Sequence, residues 1–420
     1  MRTMRKWLIG SDRNISRRNI IWNMLGSTVY AFATLFLTAV TGHLAGEAAG
    51  GRFSFAFSVG QLLLSVSYFG VRPYHQTDVA VRYSFREYLH VRIATCVLSL
   101  VSGLCYIGIS GFTPGKGAVV FLMVLFKVAD GFADVYEVEF QRRNRLYLAG
   151  KSNSSRTLLS MAVYVAVLAL TRNLVLACLA AAAAAIAGVI LFDISVEGFF
   201  PYLGRPDWEK GKAIVRECVL ICAASFMESY ILNASKYAIE AGMGDAAVYS
   251  YTAIFQPTMV INLVAGYIIR PFLTGMVIKW ERRRRRAFAA EVGKIMAVIA
   301  ALTVAALVLG YYLGVPVLGM ICGTDVTPYR GALLVVVGGG SLYACVTLLY
   351  YVLMIFRRQK FLFAIYGLVF VVSWLLTPWF VGKMGIMGGA VAYFLLMAMM
   401  FLLFAGYVAL CFAAEKKKKK

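Results

Sequence analysis
The stretch GAVVFLMVLFKVADGFADVYEVEF, residues 117–140, decides the fold. Its first ten residues carry no charge and no hydrogen-bonding side chain. Lys127, Asp130, Asp134 and Glu137 then follow at spacings of three, four and three, which sets all four on one face of a helix. A run this apolar reads as a membrane helix. A charge at the bilayer midplane costs roughly 3 kcal/mol on insertion scales, so the charged face must turn inward, toward other helices or a wet cavity. With the span running from outside to inside, Lys127 lies about 15 Å from its outer end, too deep to snorkel easily. Asp130, one turn away, is its expected ion-pair partner, and Asp134 continues the stripe. Glu137 and Glu139 read as headgroup-level residues beside Arg142 and Arg143.

The rest of the chain agrees with a membrane reading. Of 420 residues 61% are hydrophobic and 15% charged, and the mean hydropathy is +0.75. Soluble domains carry about a quarter charged residues, and about 20 apolar residues cross a bilayer. Such runs fall near 19–41, 52–70, 92–110, 117–138, 156–171, 173–192, 214–236, 246–269, 289–314, 330–356, 361–379 and 385–411. The expected fold is therefore all-α and integral to the membrane, with twelve transmembrane helices. The basic start of the chain has no long apolar core or small-residue cleavage site, so no signal peptide is expected.

Lys and Arg gather on alternate loops. Of 42, 34 fall on the set that includes both termini, six on the other set, and Lys127 and Lys294 on neither. Retained basic residues mark the cytoplasmic side, so both ends are expected there. The net charge of +22, including ERRRRR (281–286) and the final KKKKK, is topogenic and attracts anionic membrane lipids; it does not point to nucleic acid. Cys218 and Cys222 share a helix face, but no CxxC exists and His43, His75 and His90 are scattered, so neither a metal nor a disulfide is expected. GFTPGKG (111–117) lacks the phosphate-loop spacing. No nucleophile–base constellation is present. The chain does not read as an enzyme, and no cofactor is expected.

Two halves emerge from internal echoes. Phe53-Ser54-Phe55 is matched by Tyr249-Ser250-Tyr251 and Arg72-Pro73 by Arg270-Pro271, at offsets of 196 and 198. FQRRNR (140–145) and FRRQK (356–360) follow the fourth and tenth spans. This supports two pseudo-symmetric six-helix lobes around a central cavity. The expected division is a basic cytoplasmic N-terminus (1–18), an N-lobe (19–192), a cytoplasmic interlobe loop (193–213), a C-lobe (214–411) and a basic tail (412–420). Glu228 falls near the middle of span seven and is the candidate for H⁺ or Na⁺ coupling, against a structural role. Gln61 and Asn262 are candidate substrate contacts, against the commoner duty of joining helices. Pro257 and the glycines of 338–340 weaken helix and suit close packing or bending.

NIIWNMLGSTVYA (19–31), GEAAGGRFSFAFSVGQLL (46–63), FGVRPYHQTDV (69–79), LNASKYAIE (232–240), IFQPTMVINL (254–263), IIRPFLT (268–274) and LLYYVLMIFRRQKF (348–361) resemble the bacterial polysaccharide-biosynthesis flippases of the multidrug/oligosaccharidyl-lipid/polysaccharide (MOP) exporter superfamily. The resemblance runs from about residue 19 to 400; His75 departs from it, standing where the pattern has Gln. It implies alternating access and movement of an undecaprenyl-diphosphate-linked oligosaccharide from the inner to the outer leaflet of the bacterial cytoplasmic membrane. Polysaccharide polymerases or glycosyltransferases are the partners it implies, and membrane potential, H⁺ or Na⁺ the coupling. Lys127 becomes a counter-charge for the diphosphate, released by Asp130, while Arg72 and Arg270 capture the diphosphate or simply anchor the chain on the positive side. The alternatives are a drug or organic-cation antiporter of the same superfamily and a membrane-embedded glycosyl or acyl transferase.

Overall fold
The computed structural model describes residues 14–78, 82–197, 207–356 and 359–417. Parts of the expected N-terminus (1–13), interlobe loop (198–206), 357–360 cluster (357–358) and tail (418–420) lie outside the described residues. Within the described residues the regular elements are helices. In order they are α1 (Ile15–Ala45), α2 (Glu47–Tyr68), α3 (Val71–Thr77), α4 (Phe85–Ser110), α5 (Pro114–Arg142), α6 (Leu146–Thr171) and α7 (Leu174–Gly188). The second half continues with α8 (Trp208–Met243), α9 (Asp245–Glu281), α10 (Arg285–Leu309), α11 (Val315–Cys322), α12 (Arg330–Ile355) and α13 (Gln359–Lys417).

Local chemistry sets the ends. Pro114 opens α5, where a missing N–H costs nothing. Asn173 caps α7 by accepting from the Val175 and Leu176 amides, and Ser84 with Glu87 forms a capping box on α4. At 29 residues α5 is about 44 Å long and outruns a hydrocarbon core of about 30 Å. Hydropathy thus sees the oily middle of each helix and misses its polar ends. Among the described residues, 9 segments are long and apolar enough to cross a membrane. One of these, Phe361–Ala413, breaks at Gly385 (φ 57) and supplies two spans. The more polar α2 and the charged α5 complete the twelve.

Contacts divide the chain between Ser229 and Tyr230, inside α8 and downstream of the 193–213 loop. In the first unit α5 is central, touching α2, α4, α6 and α7, while α1 lies along α6. The α1–α6 contact is backbone on backbone: a Cβ on Gly150 would sit 2.2 Å from the Trp22 carbonyl oxygen. Small residues permit such approach where membrane helices have only packing to join them. In the second unit α12 is central, against α9, α10 and α13. Trp280 stacks on Phe356 at 4.0 Å, with Phe288 and Phe412 alongside.

Candidate functional site
The α5 stripe is buried within the first unit. Lys127 Nζ donates to the Tyr30 hydroxyl at 2.8 Å and stands 3.5 Å from Asp130 Oδ2. It also lies 4.1 Å from the centroid of the Phe57 ring and 4.6 Å from that of Tyr30. Aromatic faces are electron-rich, so they stabilise a desolvated ammonium by about 2 kcal/mol. The lysine stays where water cannot hydrate it because rings and a carboxylate replace the water.

Arg156, from α6, holds three carboxylates. Its Nε lies 3.3 Å from Asp130 Oδ1, its Nη2 3.0 Å from Glu137 Oε1 and its Nη1 2.8 Å from Asp193 Oδ2. Asp193 belongs to a π-helical turn, Val189–Ile194, that continues α7, and Ser152 donates to its other oxygen. Arg72 donates to Asp134 and approaches Glu137 at 4.0 Å. Arg92 Nη2 meets Asp134 Oδ2 at 2.7 Å, while its Nη1 donates to the Ser67 carbonyl at 2.6 Å. Four cations (Lys127, Arg72, Arg92, Arg156) thus face four acids (Asp130, Asp134, Glu137, Asp193). Buried ions persist only when paired and hydrogen-bonded, and this set is balanced.

Farther along α5, Glu139 takes Arg142 at 2.8 Å, Arg143 at 2.6 Å and His75 at 3.0 Å. Glu139 therefore pairs with the expected arginines. Glu137 does not: it is buried on Arg156 and is a full part of the inner network.

A cavity of ≈ 220 Å³ opens beside this network. Asn23, Ser27 and Tyr30 of α1, Tyr68 of α2 and Asn153 of α6 give it hydroxyl and amide walls. Arg72, Asp130, Glu137 and Arg156 supply its charges. Asp130 Oδ2 is buried with no hydrogen-bond partner. Lys127 does not line the cavity, as the stripe alone suggested; it lies behind Tyr30 and Asp130, closed in by its aromatic cage.

The structure brings Lys127, Asp130, Asp134 and Arg72 together. Gln61, half-buried on α2, and Glu228, half-buried on α8, do not line this cavity. Asn262 and Arg270 belong to the second unit: Asn262 Nδ2 donates to the Thr258 carbonyl of its own helix at 2.7 Å, and Arg270 is exposed.

By sequence, no family model and no curated protein matches the chain. Solved structures do. A MATE multidrug transporter, DinF-BH, superposes with a TM-score of 0.65 at 13% identity, over 95% of this chain and 96% of that one. An inward-facing multidrug resistance MATE transporter of the MOP superfamily gives 0.59 at 13%, over 96% and 100%. A MOP superfamily transporter from Pyrococcus furiosus, whose binding pocket is described as of reverse polarity, gives 0.54 at 12%, over 96% and 98%. The fold is the MATE fold.

On this MATE fold, Arg92, Arg156 and Asp193 complete the network; the expected spans begin at Arg92 and Arg156, and the expected interlobe loop begins at Asp193. Both arginines belong to the 34 basic residues of the expected cytoplasmic set. The structure places Arg92 in α4, Arg156 in α6 and Asp193 in a helical turn, all buried. Lys236, at the end of the expected span 214–236, is likewise buried in α8. One signal was available: Ser152 and Arg156 lie four apart, on one face of any helix that starts early enough to include both.

Proposed function
We propose that the chain is an alternating-access transporter that moves a lipid-linked oligosaccharide, carried on an undecaprenyl diphosphate, from the inner to the outer leaflet of a bacterial cytoplasmic membrane. Its termini are cytoplasmic, and polymerases or glycosyltransferases of the same route are its partners. No covalent step belongs to the protein.

One observation carries this reading: the ≈ 220 Å³ cavity is walled by amides, hydroxyls and two guanidiniums. Such walls hydrogen-bond a sugar phosphate and offer little to an apolar drug. The volume lies below the roughly 300–1,000 Å³ of drug-sized sites, and suits one saccharide unit at a time. The guanidiniums are already engaged, so an entering phosphate competes with Asp130 and Glu137 for Arg156 and with Asp134 for Arg72. Arginine favours such exchange because its planar fork fits carboxylate and phosphate alike. Export of negative charge is favoured by an inside-negative potential, by about 2.3 kcal/mol per charge at 100 mV.

The rival reading is export of organic cations. It is favoured by the likeness to solved structures described as multidrug transporters and by the two carboxylates in the cavity wall. Mass spectrometry of polyprenyl-diphosphate lipids separates the two, in cells lacking the chain and in cells restored with wild type or Arg72→Gln. The proposal expects one lipid-linked oligosaccharide to accumulate without the chain, wild type to clear it, and Arg72→Gln to leave much of it. Unchanged lipids with raised sensitivity to organic cations overturn it.

A further inference from the structure
The second unit holds a cavity of opposite chemistry at the corresponding pair of helices. α1 and α6 are the first and fifth spans of the first six; α8 and the part of α13 before Gly385 are the first and fifth of the second six. α1 and α6 close on each other through Gly150, and the cavity beside them is polar. α8 and α13 instead leave ≈ 340 Å³ between them.

Tyr230, Tyr237 and Trp374 bound this second cavity, and Ala234, Ala238 and Ala241 form one face of α8 along its floor. Among the described residues, no charged one lines it. Ser373 turns its hydroxyl to the Phe370 carbonyl of its own helix at 2.7 Å. Thr377 Oγ1 is buried there with no hydrogen-bond partner. Both helices belong to membrane-length apolar segments, Trp208–Met243 and Phe361–Ala413, and Trp374 at the rim is 65% exposed. The cavity therefore lies between two membrane-length helices and is accessible from outside them.

We infer that this cavity binds a stretch of the substrate's isoprenoid chain. The inference rests on the lipid-linked reading above. An anionic head finds no counter-charge on these walls, and the absence of any ionised group in them matches an uncharged occupant. The alanines leave notches four and three residues, about 6 and 4.5 Å, apart. A chain with a methyl branch on every unit can fill such notches; a straight acyl chain has no groups for them. Filling restores the dispersion contacts that an empty apolar cavity forfeits.

Photolabelling of the full chain in lipid nanodiscs tests this, with a diazirine-tagged C15 prenyl phosphate beside a diazirine-acyl phosphatidylglycerol. The prenyl probe is expected to label peptides 230–242 and 373–382 about fivefold over the acyl probe, and undecaprenyl phosphate should compete. Ala238→Phe, which fills the cavity, should lower that labelling about fivefold while labelling elsewhere persists. Thr377→Val, isosteric and apolar, should keep or raise it. Equal labelling by both probes, or full labelling of Ala238→Phe, overturns the tail site. If labelling fails in this way while lipid-linked oligosaccharide still accumulates in cells lacking the chain, the tail site falls and the transport reading stands.

Discussion

The two units build membrane helices into a core in different ways. In the first, α5 carries acids and a lysine into the interior, and neighbouring helices bring three arginines to meet them. In the second, α12 is packed with small and aliphatic residues, and rings such as Trp280, Phe288 and Phe356 cluster at one end. The difference shows what each interior is suited to. An ionic lattice has alternative pairings of similar energy, so it can rearrange around an incoming charge. An interior built mostly of aliphatic groups and rings has fewer such alternatives, and offers shape.

Substitutions can break or sharpen that contrast. The largest effect is expected from Arg156→Ala, which strands Asp130, Glu137 and Asp193 together. Removing one partner of a buried ion set costs about 3–5 kcal/mol, to be read as a lowered thermal midpoint in detergent or lost expression. Lys127→Met comes next, because Asp130 loses the cation beside its unpartnered oxygen. Adding Asp130→Leu should recover part of the loss. Strict additivity of the two in a double-mutant cycle would contradict direct pairing.

Gly150→Ala and Gly242→Ala compare packing in the two units. The first forces α1 and α6 apart and should cost about 1–3 kcal/mol. A Cβ on Gly242 meets Val381 at an ordinary 3.9 Å. Ala also favours helix over Gly by about 1 kcal/mol, so Gly242→Ala should be neutral or stabilising. A larger loss at Gly242 would reverse the comparison.

The smallest effect lies outside the spans, at Asp78. Partial burial pushes its pKa up, but the Tyr83 and Arg82 amides and the Tyr88 hydroxyl donate to the carboxylate and outweigh this. The group titrates below its ordinary value. A depressed folded pKa contributes stability above the unfolded value, about 3.9, and loses it as pH falls through the folded one. Asp78→Asn should lower the thermal midpoint slightly at pH 7 and not at all once the carboxyl is protonated in both states.

Much of the fold was legible because hydrocarbon thickness imposes a strong length signal. The twelve sequence spans fall on the observed helices, and the three–four–three spacing found the stripe on α5. The polar ends were harder. Arg92 and Arg156 open the spans that hydropathy marks and so read as basic residues of the cytoplasmic side, whereas the helices begin earlier, at Phe85 and Leu146, and bury both. Asp193 follows an alanine-rich run and enters the network through a π-helical turn that no periodicity announces. Lys127 was found, but its setting was not: spacing says which face a residue occupies, and the Tyr30 and Phe57 rings that enclose it come from other helices.

The most direct test is reconstitution. Purified chain in proteoliposomes with an undecaprenyl-diphosphate disaccharide and an imposed potential, negative on the cytoplasmic face, should move the sugar headgroup to the opposite leaflet. Accessibility to a membrane-impermeant glycosidase reads that movement, and Arg72→Gln should slow it. Uptake or efflux of an organic cation by the same vesicles, with the disaccharide left on its original leaflet, would contradict the account.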